Sequence, residues 1–144
     1  MNFKILICGL PGSGKTTLAK SLVGLFQDKV TWFNADTVRT KFNDWDFSEE
    51  GRKRQALRMN DLCSGEGIFI ADFVAPTKEL RTLFDADFII FMNTIKEGRF
   101  EDTNKIFESP ENEYHKFGIE IKDFTYDAEQ IKSIIIDCIK DIYE

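Results

Sequence analysis

Lys15 and Thr16 close the run Gly9-Leu10-Pro11-Gly12-Ser13-Gly14-Lys15-Thr16, which follows directly on the apolar stretch FKILIC. The spacing G-x-x-x-x-G-K-[ST], set between a strand-like run and a helix-like one, is that of a loop that cradles phosphate. Glycines let the chain curl so that successive N–H groups point inward, and the helix that follows adds its own unsatisfied amides and positive dipole end. In such a loop Lys15 reaches the β- and γ-phosphates and the Thr16 hydroxyl ligates Mg²⁺. The expected nucleotide set is Gly9, Gly12, Ser13, Gly14, Lys15, Thr16 and Thr17, where Thr17 either touches the α-phosphate or only packs. The expected cofactors are ATP and Mg²⁺.

Phosphate must go somewhere, and carboxylates and arginines elsewhere in the chain are candidates for receiving and steering it. Asp36 and Arg39 lie three apart in WFNADTVRTKFN, a spacing that puts both on one face of a helix beside the loop. Asp36 reads as a general base for an acceptor hydroxyl, as an outer Mg²⁺ carboxylate, or as a helix N-cap; Arg39 reads as a clamp on anions or a surface arginine. Asp72, at the end of FIADF, either orients Mg²⁺ through water or caps its strand. Arg99 is a candidate to swing over the transferring group, against a solvent-facing role paired to Glu101 or Asp102. His115 is the one histidine, and no nucleophile is spaced to work with it, so no role is expected.

Short β-branched or aromatic runs alternate with longer amphipathic ones, the pattern of repeated βα units around a mostly parallel sheet. Strands are expected near 3–8, 29–34, 67–72, 87–92 and 117–122, and helices near 14–27, 36–43, 48–64, 76–85, 95–107 and 127–143. The start signals are Ser48 before Glu49 and Glu50, Pro76 in a first turn, and Asp127 ahead of Glu129. Ile131, Ile134, Ile135, Cys138, Ile139 and Ile142 recur at helical spacing and read as core, as does Phe117. Residues 108–116 are polar, aperiodic and loop-like. The fold class expected is α/β, a P-loop NTPase fold with a five-stranded, mostly parallel sheet flanked by helices on both faces, and residues 1–144 forming one domain.

At 144 residues and 42% hydrophobic content the chain can build one core. A net charge of −6 disfavours duplex nucleic acid and anionic membranes as main partners, while a basic pocket for one phosphorylated metabolite remains open. The longest apolar runs fall far short of a membrane span. The opening MNFKILICGL is too short for a secretory leader and runs into the glycine-rich turn. Three cysteines without metal or redox spacing suggest reduced structural thiols and a cytoplasmic setting. No guanine-reading NKxD occurs, and the length leaves little room for a motor, so a compact metabolite kinase fits best.

The order of these motifs resembles the adenylylsulfate kinase family, which transfers the ATP γ-phosphate to the 3′-hydroxyl of adenosine 5′-phosphosulfate in sulfate assimilation. GLPGSGKTTLAKSL is similar to its phosphate loop, NADTVR to its D-x-D-x-V-R, DFSEEGRKRQ to its G-F-S and R-x-x-N, and FVAP to its F-I-S-P, over roughly residues 3–94. The resemblance implies that Asp36 is the catalytic or Mg²⁺-organising carboxylate; Lys15 as a further catalytic residue and Thr16 as a metal ligand come from the loop motif, Arg99 from the departing lid segment, and Asp72, unlike the family, is a candidate toward the metal. The resemblance also implies an acceptor site of Asp36, Arg39, Phe47, Arg52, Gln55, Phe73, Val74 and Pro76, with Phe47 stacking on the adenine and both arginines gripping the phosphosulfate. The sequence departs from the family at Asn34 for an aspartate, Gln55 for an asparagine and Ala75 for a serine. The basic lid segment is replaced by the shorter IKEGRFEDTNKIFESP. Another nucleotide, a sugar or a nucleic-acid 5′-hydroxyl as acceptor, or a module that binds nucleotide without turnover, therefore stays open. So does a homodimer.

Overall fold

The computed structural model describes residues 1–110, 113 and 117–144. The elements are β1 (Asn2–Cys8), α1 (Lys15–Leu25), β2 (Val30–Asn34), α2 (Ala35–Phe42), α3 (Glu49–Leu62), β3 (Gly67–Asp72), α4 (Lys78–Phe84), β4 (Phe88–Met92), α5 (Glu101–Ile106), β5 (Gly118–Ile121) and α6 (Ala128–Tyr143). All strand pairs are parallel, and the order across the sheet is β2-β3-β1-β4-β5. The architecture is the α/β, P-loop kinase arrangement expected from the sequence.

β1 explains why the sheet needs helices on both sides. Its side chains alternate, as they must in a strand. Phe3, Ile5 and Ile7 join a core with Leu18, Ala19 and Leu22 of α1 and with Ile131, Ile135 and Cys138 of α6. Leu6 and Cys8 join a second core with Val38 of α2, Ala56 and Met59 of α3, and Leu80 and Phe84 of α4. A strand apolar on both faces is stable only when both faces are covered. Phe117 packs against the first of these cores, as expected. The three thiols are buried and unpaired; burial pushes Cys8 and Cys63 up to about 12 and Cys138 up to about 11, so none is a nucleophile at neutral pH.

Three expectations need correction. The helix near 95–107 is confined to Glu101–Ile106, because Gly98 donates its N–H to Asn104 Oδ1 at 2.8 Å and its carbonyl accepts from Asn104 Nδ2 at 3.0 Å, closing an irregular loop. Pro76 does not sit in the first turn of α4: Thr77 is the N-cap, its hydroxyl accepting from Leu80 N. The α6 stripe is narrower than its periodicity suggests, with Ile134 and Ile142 exposed, because one face of the helix packs on α1 and the sheet. Ser48 and Asp127 do cap α3 and α6. Most of the polar stretch 108–116, with His115, lies outside the described residues. Among the described residues no helix is long and apolar enough to cross a membrane.

Leu22 is fully buried between α1 and the sheet. Leu22→Ala is expected to lower unfolding stability by about 2–5 kcal/mol, read from the urea midpoint at unchanged m-value.

Candidate active site

The loop between β1 and α1 runs under the carboxyl edge of the sheet, where open α/β sheets bind ligands. Gly9 has φ 145°, and a Cβ there would lie 2.6 Å from the Met92 carbonyl oxygen, so no other residue fits between the loop and β4. Gly12 and Gly14 also have positive φ, and Gly14 is the N-cap of α1 with no side chain to occupy its free amides. Ser13 is fully buried, its carbonyl accepts from Thr94 Oγ1 at 2.7 Å, and its own Oγ has no hydrogen-bond partner among the described residues. A curled loop with free helix amides, an unpartnered buried hydroxyl and a lysine fits a phosphate chain. Lys15 is buried, and its ammonium donates to the Leu10 carbonyl at 3.1 Å. Burial pulls its pKa below the ordinary lysine value, offset in part by the Asp72 charge.

Asp72 ends β3 and is 2% exposed. Sheet register sets it beside Ile7 on one neighbour and Asn34 on the other. Its carboxylate accepts from Trp32 Nε1 at 2.6 Å, Asn34 Nδ2 at 3.0 Å and Thr16 Oγ1 at 3.2 Å. Burial nonetheless raises its pKa, with the Trp32 and Asn34 hydrogen bonds opposing. A carboxylate beside the loop threonine suits a hard cation that takes few protein ligands and keeps its waters. Among the described residues no cluster of three or more acidic, cysteine or histidine side chains offers a metal cage.

Asn34, a departure from the family pattern, has a double task. Its Oδ1 accepts from Thr37 N at 3.0 Å, making Asn34 rather than Asp36 the N-cap of α2, while its Nδ2 donates to Asp72 and to Thr16 Oγ1 at 3.2 Å. An aspartate there would set a second carboxylate against Asp72. Asp36 is thereby left in the first turn of α2, exposed and facing the cleft.

One cleft of about 480 Å³ joins the two halves. Gly12, Lys15, Thr16 and Asp72 line its phosphate end; Asp36 and Arg39 come from α2, Phe47, Arg52 and Gln55 from the α3 side, Phe73, Val74 and Pro76 from the strand after β3, and Arg99 from the segment before α5. Gly9, Ser13 and Gly14 belong to the same loop but do not line the cleft. Thr17 is exposed on α1 and does not line the cleft. Gln55 reaches the wall, but its Nε2 donates to the Ala35 carbonyl at 3.1 Å and its Oε1 accepts from Arg58 at 2.8 Å, so its polar atoms tie α3 to α2. Arg39 donates to the Asp44 and Asp46 carbonyls and lies 4.3 Å from the Phe47 ring centroid. Arg99 stacks on Phe100 at 5.3 Å and forms no ion pair with Glu101 or Asp102, which pair with Lys105 and Arg52.

Several contributors escape sequence reasoning. Trp45 and Phe100 are half exposed at the cleft, as Phe47 is, so that two more exposed aromatic faces join it there. The loop that presents Trp45 and Phe47 is fixed by Asp44, whose carboxylate accepts from Arg54 at 2.8 Å and Arg58 at 2.9 Å, bonds that hold it well below the usual carboxylate range. Arg81, almost wholly buried, donates to the Ala75 carbonyl at 2.7 Å and pairs with Glu113, bracing the Phe73–Pro76 wall. The exposed Trp45 two residues before Phe47 was a usable signal; nothing in the sequence marks Arg81, whose partners are 27 or more residues away except for Ala75.

Comparisons with known proteins agree with this geometry. A family model described as Adenylylsulphate kinase matches residues 1–114. Among the curated proteins, none matches the chain. Solved structures do: APE1195 has 23% identity over 99% of this chain and 97% of that one, with a TM-score of 0.71. The Mycobacterium tuberculosis APS kinase CysC in complex with AMPPNP and APS has 17% identity over 96% and 98%, with a TM-score of 0.67. Shikimate kinase from Acinetobacter baumannii in complex with shikimate has 18% identity over 97% and 94%, with a TM-score of 0.63. At these identities the likeness establishes the fold.

The raised pKa of Asp72 has a definite sign. Between the ordinary aspartate value, about 4, and the raised folded value, the folded state holds a proton the unfolded chain has lost, so stability falls as pH rises. Unfolding free energy of the wild type relative to Asp72→Asn is expected to be greatest below about pH 4 and to decline to a plateau toward neutrality. Denaturant titrations from pH 3.5 to 7 test this; a difference that rises with pH contradicts it.

Proposed function

The chain belongs to the adenylylsulphate kinase family, and on that premise we propose that it transfers the γ-phosphate of Mg·ATP to the 3′-hydroxyl of adenosine 5′-phosphosulfate. The family match and the kinase neighbours support the coarser part, a P-loop kinase using ATP and a hydroxyl acceptor. The observation that carries the finer part is the single cleft that sets Lys15, Thr16 and Asp72 opposite Asp36, two arginines and aromatic faces. A nucleotide bearing an acidic group and a planar base matches that lining.

Each residue then has a task. The loop amides and Lys15 hold the triphosphate and neutralise charge as it shifts toward the leaving ADP. Thr16 and Asp72 would hold Mg²⁺, directly and through water; bound there, the ion would screen the phosphates against one another. Asp36 accepts the proton of the acceptor hydroxyl while its oxygen bonds to phosphorus and the bond to the β-phosphate oxygen breaks. Arg39 and Arg52 face the acceptor's anion, Phe47 stacks on its base, and Phe73, Val74 and Pro76 wall the pocket. Arg99 has no competing ion-pair partner among the described residues and closes over the transferring group. We further read residues 1–144 as one catalytic domain working in the cytoplasm; the buried, unpaired thiols support that setting.

A second reading keeps the kinase and changes the acceptor to a sugar or another nucleotide. It is favoured by Gln55 and Ala75: the first spends its amide within the protein, and the second offers no hydroxyl where the family has one. The non-catalytic module draws less support, since Lys15, Thr16 and Asp72 converge and Asn34 maintains the link to both of the latter.

A coupled ADP-release assay tests the proposal. Adenosine 5′-phosphosulfate is expected to stimulate release, with kcat falling about 10²–10⁴-fold in Asp36→Asn and at least as far in Lys15→Ala. Absence of stimulation, with a sugar or another nucleotide active instead, transfers support to the second reading.

A further inference from the structure

We propose that Asp102 is a latch that occupies Arg52 in place of the acceptor's anion, so that an acceptor carrying a phosphoryl or sulfuryl group displaces it and frees the segment 98–106, while an uncharged acceptor binds without releasing it. The proposal rests on the acceptor reading above, but its mechanical half stands on contacts alone.

Arg52 Nη2 lies 3.6 Å from Asp102 Oδ2, and Arg52 Nε donates to the Phe47 carbonyl at 2.8 Å. The two partners differ in freedom: the Arg52 side chain is 12% exposed and the Asp102 side chain 76%. The cation is fixed in the cleft wall and the carboxylate is the part able to leave. The neighbouring Lys53 is engaged elsewhere, with Glu49 and Glu79, so it does not compete for Asp102.

Asp102 rides on a unit that touches both substrate sites. Gly98 and Asn104 exchange two hydrogen bonds, Thr103 is buried, and a side chain at Gly98 would meet the Pro11 carbonyl of the phosphate loop at 3.1 Å. Phe100 and Arg99 of the same unit line the cleft. The segment therefore leans on the nucleotide loop at one end and is held to the acceptor wall by Asp102 at the other. At 3.6 Å with one exposed partner the pair is weak, which suits a latch: an anion in bidentate contact with Arg52 outcompetes it, whereas an uncharged alcohol leaves it in place. A strong pair would hold the segment against every anion.

The test uses the full chain and isothermal calorimetry with adenosine 5′-phosphosulfate and with adenosine. Asp102→Asn is expected to bind the phosphosulfate about 2–5-fold tighter, as loss of an exposed pair allows, and adenosine unchanged. Glu101→Gln, which makes the same charge change one residue away but pairs with Lys105, is expected to bind both as the wild type does. In an Arg52→Ala background the Asp102→Asn gain should vanish. No gain, a gain shared by Glu101→Gln, or a gain that persists without Arg52 overturns the proposal. Should the wild type bind no phosphosulfate, the acceptor reading fails, and amide hydrogen exchange over 98–106 decides the latch: faster exchange in Asp102→Asn than in Glu101→Gln upholds it, and equal rates overturn it.

Discussion

A carboxylate buried at 2% exposure is costly unless its oxygens are satisfied, and Asp72 is satisfied by three donors from two elements, β2 and α1. Trp32 comes from β2, Asn34 from the junction of β2 and α2, and Thr16 from the first turn of α1. That one charge locks the phosphate loop, the sheet edge and the start of the acceptor wall into a single unit. Burial still raises its pKa despite the donors.

The acceptor half is organised by a second charge cluster of different character. Asp44 is surrounded by Arg54 and Arg58, and Arg39 grips the backbone on either side of Trp45. The aromatic rings at the cleft are therefore exposed and yet held in place, a combination that packing alone does not require and binding does. The two halves meet through the segment 98–106, which touches Pro11 and Arg52 alike.

How much of this was readable in advance follows from the range of the interactions. The loop motif is local, so its strand, its turn and its helix start were all legible. All five strands begin and end within a residue or so of the short apolar runs, and in β1, β3 and β4 the reason is burial that leaves a plain apolar signal. The segment 95–107 misled because its helical spacing is overridden by the Gly98–Asn104 clasp, a contact no periodicity encodes. Asn34 looked like a lost acid and is instead a cap and a donor, since its value depends on Asp72 lying across the strand register. Asp36, Arg39, Phe47, Arg52 and Arg99 do gather at one cleft, whereas Thr17 does not, and Gln55 touches it with its amide already engaged. Trp45, Phe100 and Arg81 depend on tertiary neighbours and carry no spacing of their own.

The central claim is that the loop from Gly9 to Thr16, braced by Asp72, receives a nucleotide triphosphate with its cation. Calorimetric titration of the folded chain with ATP in the presence and absence of Mg²⁺ reads this directly. The account predicts saturable one-site heat that requires Mg²⁺ for full affinity; a well-folded sample that gives no saturable heat with Mg·ATP contradicts it.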